Sequence, residues 1–389
     1  MIKSIKVMLI PNNKQKTKLF QYAGTSRFAF NWALGKQKEN YSSGGKFIQD
    51  NELRKEFTQL KKQEEFQWLN NISNNVTKQA IKDACGSYKN FFKGISKFPK
   101  FKSKKKTRPS FYQDNIKIKF TETHVKLESL AISKKKNKQK LNWIKLAEHD
   151  RIPVNGKYSN PRVTFDGINF WISVGVEYEE SQEIPIEKGI GIDLGIKDLA
   201  ICSDNHTYKN INKTARIKKL EKKKRRLQRC VSRKYLNNKK GECYCKTSNI
   251  VKSEKQLLKL NHKLTNIRQD YQHHVTSEIV NRKPMFITIE DLDVKGMMKN
   301  RHLSKAIAQQ SLYEFTRQLQ YKCRWNNVEL RQVGRFFPSS KLCCKCGNIN
   351  RELKLSDRIY HCKCCDNVID RDYQAGINLR DATEYKIIA

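Results

Sequence analysis

Three acidic residues that lie far apart in the sequence have the character of metal ligands. They are Asp193 in GIGIDLGIKDLA, Glu290 in MFITIED and Asp372 in DRDYQAGINL. A carboxylate within an apolar segment is costly unless it is paired or binds a metal. Because the three acids come with no obligatory histidine or cysteine nucleophile, they indicate hard-cation chemistry, in which Mg²⁺ or Mn²⁺ binds carboxylates and substrate phosphate. Two such ions can clamp the attacking and leaving oxygens of a phosphodiester displacement.

Asp193 is predicted to lie in the first strand of a hairpin. Its segment has the pattern of a strand, a turn and a second strand, and alternation places Gly191 and Gly195 on the same face as the acid. The opposite face carries the bulky residues Ile190, Ile192 and Leu194. The face of the acid therefore leaves room for metal ions and a phosphate. The alternative is an aspartate at a strand end that only forms a turn.

Glu290 and Asp372 are predicted at the ends of two other elements. Glu290 ends an apolar strand, whereas DRDYQAGINL favours a helix start with Asp370 as the cap and Asp372 in the first turn. On a helix these two aspartates point about 200° apart, so only one can face the sheet. Asp372 is the predicted ligand, because it shares a face suited to close approach with Ala375, Gly376 and Leu379.

Two cysteine pairs near the C-terminus have the spacing of a four-thiolate zinc site. The pairs Cys343-x-x-Cys346 and Cys362-x-x-Cys365 are separated by 15 residues, which is typical of such sites. Four thiolates would complete the tetrahedral coordination of zinc, so the metal would be structural. Two further thiols in the same segment compete as ligands: Cys344 and Cys364.

The charge of the chain predicts a polyanionic partner. The 389 residues include 79 Lys and Arg against 38 Asp and Glu, a formal net charge of +41. Cations that neutralise phosphates release counterions and so drive binding. No signal peptide or apolar run of transmembrane length favours a membrane partner, and twelve cysteines without a secretory signal argue against a disulfide framework. Nucleic acid is the predicted partner, and the prokaryotic cytoplasm, with association to the nucleoid, the predicted location.

Apolar periodicity predicts the elements that surround these residues. Residues 1–10 alternate as a strand, and the strands predicted within 116–180 include a hairpin turn at Asp166-Gly167. Helices are predicted after residue 15, over 49–66, over 74–92, as an antiparallel pair within 214–282, and over 304–325.

Two basic segments are candidates for binding nucleic acid. The segment 97–112 interleaves cations with Phe98, Phe101, Phe111 and Tyr112, so that its rings could stack on bases. A solvated linker and a solvated helix face are the alternatives for the two segments. The candidate cations are Lys100, Lys102, Lys104 and Lys105 in the first segment, and Lys222, Lys223, Lys224, Arg225 and Arg226 in the helix KKLEKKKRRLQR.

The order of these motifs resembles the TnpB family of RNA-guided DNA endonucleases, which insertion sequences encode and which are related to type V CRISPR effectors. GIDLG, IED and DRDYQAG follow the order of the family's RuvC-like core. FFPSSKLCCKCGN and YHCKCCDNVIDRDYQAGINL match its cysteine motifs, and GTSRFAFNWAL is similar to its N-terminal region. The resemblance covers essentially the whole chain. Two positions depart from the pattern: Gln374 stands where the family usually has Asn, and Asp366 where it usually has Gly.

The resemblance implies a chain of α/β plus β class. A β-barrel wedge domain is expected over 1–14 and 96–185, with a helical recognition insert over 15–95. A split RNase-H-like (RuvC) nuclease core is expected over 186–335 and 366–389, with the helical hairpin 212–282 inside it. A zinc ribbon is expected over 336–365, with Cys343, Cys346, Cys362 and Cys365 as its ligands.

The resemblance also implies a function. Asp193, Glu290 and Asp372 would hold two Mg²⁺ ions that cleave target DNA beside a short flanking motif, and the basic helix would line the heteroduplex channel. The implied partners are a guide RNA and double- and single-stranded target DNA, with the protein as a monomer in the ribonucleoprotein. The alternatives are a miniature type V CRISPR effector and a nuclease-dead, RNA-guided regulator. The intact acidic trio argues against the second.

Overall fold

A computed structural model describes residues 1–128, 140–179, 188–354 and 356–389. The chain divides into an N-terminal unit, residues 1–179, and a C-terminal unit, residues 180–389. The parts of the predicted strand region and wedge domain that fall on 129–139 and 180–185 lie outside the described residues.

In the sequence of the N-terminal unit, three helices follow the first strand of a sheet and precede the other strands of that sheet. Its elements are β1 (Ile2–Ile10), α1 (Asn13–Ser42), α2 (Asp50–Leu60), α3 (Asn74–Phe92), β2 (Ser110–Tyr112), β3 (Lys119–Phe120), β4 (His124–Lys126), β5 (Trp143–Leu146), β6 (Tyr158–Phe165) and β7 (Phe170–Glu177). Short 3₁₀ helices cover Glu64–Asn71 and Lys140–Asn142. The predicted hairpin turn joins β6 to β7, where Gly167 has a φ of +99°.

The seven strands form one antiparallel sheet in the order β2-β6-β7-β1-β5-β4-β3. β1 pairs with β7 over most of its length and with β5 at its end. Inward residues of the sheet share a core with the start of α1, whereas α1, α2 and α3 enclose a second core around Phe30, Leu53 and Tyr88. Within the described residues no strand pairing joins β2 to β3, so the predicted closed barrel is not confirmed.

The C-terminal unit is built on a mixed sheet. Its elements are β8 (Ile190–Leu194), β9 (Asp198–Cys202), β10 (Thr207–Lys209), α4 (Ala215–Asn237), β11 (Lys239–Lys240), β12 (Cys243–Tyr244), α5 (Ser248–Asn281), β13 (Phe286–Ile289), α6 (Val294–Met297), α7 (Ser304–Gln310), α8 (Leu312–Trp325), β14 (Glu329–Gln332), β15 (Ile359–His361), β16 (Val368–Asp370), α9 (Arg371–Arg380) and β17 (Lys386–Ile387). A 3₁₀ helix covers Ile211–Lys213. The sheet order is β10-β9-β8-β13-β14-β17, and β8, β13 and β14 run parallel.

The two faces of this sheet are covered by different helices. Ile190, Ile192 and Leu194 of β8 pack into an apolar core with α8 and the end of α5, as the predicted alternation requires. The prediction of one helix over 304–325 is wrong in one respect. The segment forms two helices, α7 and α8, that meet at Ser311. This residue has a φ of +52°, and a left-handed backbone conformation interrupts a right-handed helix.

The helical pair predicted within 214–282 is confirmed as α4, which carries the basic segment, and α5, which packs along it. Thr214 and Thr247 cap their N-termini through side-chain oxygens that accept from Ile217 N–H and Ile250 N–H. A small β11-β12 hairpin joins them. Among the described residues, no helix combines the length and the apolar character needed to cross a bilayer.

Candidate active site and cysteine cluster

The parallel strands β8 and β13 bring two of the predicted acids to one edge of the sheet. Ile192 pairs with Ile289, so the next residues along each strand, Asp193 and Glu290, occupy equivalent positions. Both follow buried isoleucines that fix their strands in the apolar core. This edge is formed by the carboxyl ends of parallel strands, where ligands of open α/β sheets commonly bind.

Helix α9 carries the third acid and lies unusually close to β8. A Cβ atom added to Gly191 would lie 2.0 Å from the Gly376 carbonyl oxygen and 2.3 Å from the Arg380 nitrogen. Only a glycine fits between the two backbones. Ala375 and Leu379 are also buried against the sheet, which confirms the predicted face of α9 and places Asp372, in its first turn, beside the edge.

Asp370 and Asp372 have distinct surroundings, and those of Asp370 are the ones predicted. Asp370 caps α9, because its carboxylate accepts from the backbone N–H groups of Asp372 at 3.0 Å and Tyr373 at 2.9 Å. Asp372 instead forms ion pairs with Arg371 at 2.8 Å and Arg358 at 3.4 Å. The predicted cap is confirmed, and Arg358, 14 residues before Asp372, is a contact that helical spacing could not indicate.

The electrostatics of the site favour a cation. Burial raises the pKa of Asp193 well above its ordinary value, and the nearby charges of Glu290 and Asp372 raise it further. Burial also raises the pKa of Glu290, and a hydrogen bond from Ser339 opposes that rise. A buried acid whose charge is destabilised by two neighbouring carboxylates fits a site for divalent cations, which stabilise carboxylates at close range.

Two polar residues that the sequence did not single out hold Glu290 in place. The Ser339 hydroxyl donates to Glu290 Oε1, and Ser339 itself is buried. The Asn378 side chain on α9 donates to the carbonyl oxygens of Ser339 and Leu342, both at 2.7 Å. Asn378 therefore ties α9, the turn before the first cysteine pair and Glu290 into one network.

Gln374 lies on α9 between Asp372 and Asn378. Its side chain is fully buried, and neither its amide nitrogen nor its amide oxygen has a hydrogen-bond partner among the described residues. Nearly all buried polar groups in folded proteins are paired. This is the position at which the chain departs from the asparagine usual in the TnpB pattern.

The four predicted zinc ligands are brought together. The sulfur atoms of Cys343 and Cys365 lie 3.6 Å apart, and those of Cys346 and Cys362 lie 3.5 Å apart. Four sulfurs around one zinc, each about 2.3 Å from it, would be about 3.8 Å apart. Within the described part of the chain, this is the one group of three or more His, Cys, Asp or Glu side chains that is placed to hold a metal ion, and its ligand atoms all lie within 4.8 Å of one another.

Matching backbone turns create this cluster. Gly347 and Asp366 follow the second cysteine of each pair and have φ of +72° and +52°, so Asp366 adopts the left-handed conformation that a glycine would favour at this position. In each turn the amide of that residue donates to the carbonyl oxygen of the first cysteine, Cys343 or Cys362. The amides of Cys364 and Cys365 lower the pKa of Cys362 to about 6, which favours the thiolate.

The spare thiols lie outside the cluster. The Cys344 sulfur is 3.8 Å from the Asn367 side-chain nitrogen, and Cys364 is exposed, contributing a backbone amide rather than a sulfur to the cluster. The local turns orient the sulfurs of these two residues away from the other four. The spacing alone left them open as ligands, and the geometry excludes them.

The basic residues of α4 are presented to solvent. Lys222, Lys223, Arg225 and Arg226 are exposed, whereas Lys224 is half-buried, with its ammonium 4.0 Å from Glu221. Glu221 also forms a 2.8 Å ion pair with Arg268 of α5. The helix thus fixes one face against α5 and leaves a row of cations on the other.

The basic segment 97–112 is more mixed than predicted. Lys100, Lys104 and Lys105 are exposed, but the Lys102 ammonium lies 3.5 Å from the centre of the Phe30 ring, and burial lowers its pKa. Phe111 is 2% exposed and belongs to the core of the sheet. The predicted stacking role of Phe111 is therefore wrong, because alternation in β2 turns its ring inward.

Three family models match separate parts of the chain. A model described as “Probable transposase” matches residues 173–301, which include Asp193 and Glu290. A model described as “Cas12f1-like, TNB domain” matches 313–379, which include the four clustered cysteines and Asp372. A model described as “Helix-turn-helix domain” matches 1–46, where the structure has β1 followed by α1.

Relatives extend the match to nearly the whole chain. “Putative RNA-guided DNA endonuclease InsQ” of Escherichia coli is 28% identical over 97% of this chain and 91% of its own length. “Putative RNA-guided DNA endonuclease” of Streptomyces pristinaespiralis is also 28% identical, over 97% of this chain and 88% of its own. With the transposase model, these matches confirm the resemblance to the TnpB family.

A solved structure shows the same fold. The chain aligns to the protein in “Cryo-EM structure of the Cas12f1-sgRNA-target DNA complex” with a TM-score of 0.54 and 13% identity, over 99% of both chains. At sequence level, the Cas12f1 endodeoxyribonuclease of Sulfoacidibacillus thermotolerans is 23% identical over 62% of this chain and 57% of its own.

Proposed function

We propose that the protein is a TnpB-like, transposon-associated, RNA-guided DNA endonuclease that cleaves target DNA next to a short flanking motif. The observation that carries this proposal is the convergence of Asp193, Glu290 and Asp372 at one edge of the sheet. The match to InsQ over 97% of the chain supports it. The net charge of +41 suits a protein that binds both a guide RNA and its DNA target, double-stranded or single-stranded.

In this proposal, Asp193, Glu290 and Asp372 hold two Mg²⁺ ions, or Mn²⁺. Bound there, the ions would supply a nucleophilic water at neutral pH and stabilise the leaving oxygen of the phosphodiester. Ser339 keeps Glu290 oriented and favours its ionised form. Arg358 and Arg371 pair with the Asp372 carboxylate when no metal ion is bound.

The cysteine cluster is proposed to hold a structural zinc ion in a ribbon over 336–365. Cys343, Cys346, Cys362 and Cys365 would fill all four tetrahedral positions, which leaves none open for water. The ribbon is joined to the acid site through Asn378 and Ser339. Zinc would therefore support the geometry of the active site without taking part in the reaction.

The remaining domains are proposed to bind nucleic acid. Residues 1–14 and 96–185 would form the wedge domain and residues 15–95 the recognition insert, and the split RuvC-like core would cover 186–335 and 366–389. The exposed cations of α4 would line the channel for the RNA–DNA heteroduplex, with Lys100, Lys104 and Lys105 as further phosphate contacts. The protein would act as a monomer in its ribonucleoprotein.

A miniature type V CRISPR effector is the second candidate, and the “Cas12f1-like, TNB domain” match favours it. The two candidates differ in where the guide is encoded. Sequencing the RNA that copurifies with the protein distinguishes them, since a transcript of the gene's own 3′ flank indicates TnpB-like action and a repeat-containing RNA indicates a CRISPR effector. Incubation of this ribonucleoprotein with DNA complementary to the guide, with and without Mg²⁺, tests the nuclease itself; an RNA-bound protein that never cuts would contradict it.

A further inference from the structure

One aromatic ring projects into solvent at the edge of the sheet that carries the acids. β13 and β14 run parallel with Ile289 opposite Gln332, and the Val333 amide extends this pairing by donating to the Ile289 carbonyl oxygen at 3.0 Å. Glu290 follows Ile289, and Phe336 lies three residues after Val333. The turn that contains Phe336 therefore borders the acid site.

This turn is fixed, but its ring is not covered. The Phe337 amide donates to the Gly334 carbonyl oxygen at 3.0 Å, and Arg335 donates to Asp291 at 3.0 Å. Phe336 is 93% exposed, the highest value among the described large hydrophobic residues. A single exposed apolar residue is ordinary on a protein surface, but a fully exposed ring on an anchored turn beside a candidate active site is positioned to meet a ligand.

The ligand that suits this position is a nucleobase. The metal ions proposed at the acid site would bind a phosphate of the strand, and a ring beside the site is placed to contact the neighbouring base. Aromatic rings stack on the face of any base, and such a contact suits a nuclease whose sequence specificity comes from guide pairing. Arg335, exposed on the same turn, could contact the adjoining phosphate.

We propose that Phe336 stacks on a base next to the scissile phosphate and so positions the DNA strand for cleavage. This inference rests on the proposed nuclease function. It assigns Phe336 a positioning role, because the ring touches the strand rather than the reacting atoms. Since 93% of the residue is exposed, its truncation should leave the fold and the thermal unfolding midpoint unchanged.

The test uses the ribonucleoprotein with its copurified RNA and a single-stranded DNA complementary to the guide segment. 2-Aminopurine is placed at each nucleotide of this DNA in turn, so that a stacked position is found whether or not the DNA is cut, and Ca²⁺ replaces Mg²⁺ to hold the uncut complex. We expect stacking on Phe336 to quench the fluorescence, Phe336→Ala to abolish the quench, and Phe336→Trp to retain it. In Mg²⁺, Phe336→Ala should slow single-turnover cleavage by about 5- to 150-fold, the factor that corresponds to ~1–3 kcal/mol of base stacking.

Tyr313→Ala is the matched control. Tyr313 is 72% exposed and belongs to α8, which covers the opposite face of the sheet, so its truncation should change neither readout. An abasic nucleotide at the stacked position should slow the wild-type protein as much as Phe336→Ala does, and the two changes should not add.

The outcomes separate this inference from the proposed function. Additive effects of Phe336→Ala and the abasic site, or a Phe336→Ala variant that quenches and cleaves as the wild type does, would overturn the stacking role while leaving the nuclease intact. Conversely, the wild-type complex could cut nothing in Mg²⁺ and still show a quench that Phe336→Ala abolishes. That result would contradict the proposed nuclease function and support the stacking contact.

Discussion

The acid site and the cysteine cluster are both candidate metal sites of the C-terminal unit, and they are built in opposite ways. The four cysteines lie within 23 residues of sequence and face one another across two matching turns. The three acids come from two strands and a helix that span 180 residues, and they meet only where those three elements pack together.

This difference reflects what each site has to do. A closed set of four thiolates can be made by local turns and has no room for a substrate, which suits a structural ion. A reactive site must leave coordination positions open and bring together groups from several elements, so the whole sheet is needed to position it. The cost of burying carboxylates is visible in the raised pKa of Asp193 and of Glu290, and for Asp193 the charges of Glu290 and Asp372 add to it.

Substitutions in the DRD motif should show the largest effect. Asp372→Ala removes a proposed Mg²⁺ ligand, and several kcal/mol of transition-state stabilisation correspond to a loss of more than about 1,000-fold in cleavage rate. RNA-guided target binding should persist in a filter-binding assay. Asp370→Asn is the matched control, because asparagine can still cap α9 and cleavage should remain substantial. An inactive Asp370→Asn with an active Asp372→Ala would reverse the assignment.

Loss of a cysteine ligand should act through structure rather than chemistry. Cys343→Ser should lower the zinc content measured by elemental analysis and increase hydrogen exchange over 336–380, because metal binding contributes directly to the folding of small thiolate sites. Cleavage should fall as a consequence. Cys344→Ser, which removes a neighbouring sulfur outside the cluster, should keep both zinc and activity; full zinc in Cys343→Ser would show that the ligand set is wrong.

Ser339 links the two sites and should have an intermediate effect. Ser339→Ala removes the hydrogen bond that favours the Glu290 carboxylate, and loss of such an outer contact typically costs about 10- to 100-fold in metal affinity or activity. Because this bond lowers the pKa of Glu290, its loss raises that pKa, and the acidic limb of the pH–rate profile should move to higher pH.

Ser340→Ala is the control for this substitution, since it removes the hydroxyl of the adjacent residue. It should leave the cleavage rate and the pH profile unchanged. A Ser339→Ala variant that loses activity with no movement of the pH profile would indicate a purely structural role for Ser339.

The smallest effect on the chemical step is expected from the charges of α4, which lie outside both sites. Replacing Lys222, Lys223, Lys224, Arg225 and Arg226 with Gln should weaken RNA binding and reduce the slope of log affinity against log salt by up to about 4, because each phosphate contact contributes about 0.7–0.9. Cleavage by the saturated complex should change little. The comparison variant carries Gln at Lys252, Lys255 and Lys259 of α5. If the two variants lost equal RNA affinity per charge removed, net charge rather than the position of the charges would govern binding.

Much of the candidate site could be predicted because its signals are local. Alternation around Asp193, the apolar strand before Glu290 and the capping pattern of DRD each depend on a few neighbouring residues, and their predicted elements are confirmed. The left-handed backbone at Asp366 also follows from local turn chemistry.

The rest depends on contacts between distant parts of the chain. Ser339 meets Glu290 across 49 residues and Asn378 meets Ser339 across 39, and no periodicity reports such pairs. The break at Ser311 interrupts a regular apolar stripe without a glycine or proline to announce it. Phe111 lies in a basic and aromatic segment of the kind that stacks on bases, but the pairing of β2 with β6 places its ring in the core.

The contact between Gly191 and Gly376 has a consequence for how the chain can vary. Any side chain at position 191 would push α9 away from β8 by more than an ångström, carrying Asp372 out of reach of its partners, and metal ligands tolerate displacements of only a few tenths of an ångström. In a saturation screen for cleavage, Gly191 should therefore be as intolerant of substitution as Asp193, although it bears no reactive group.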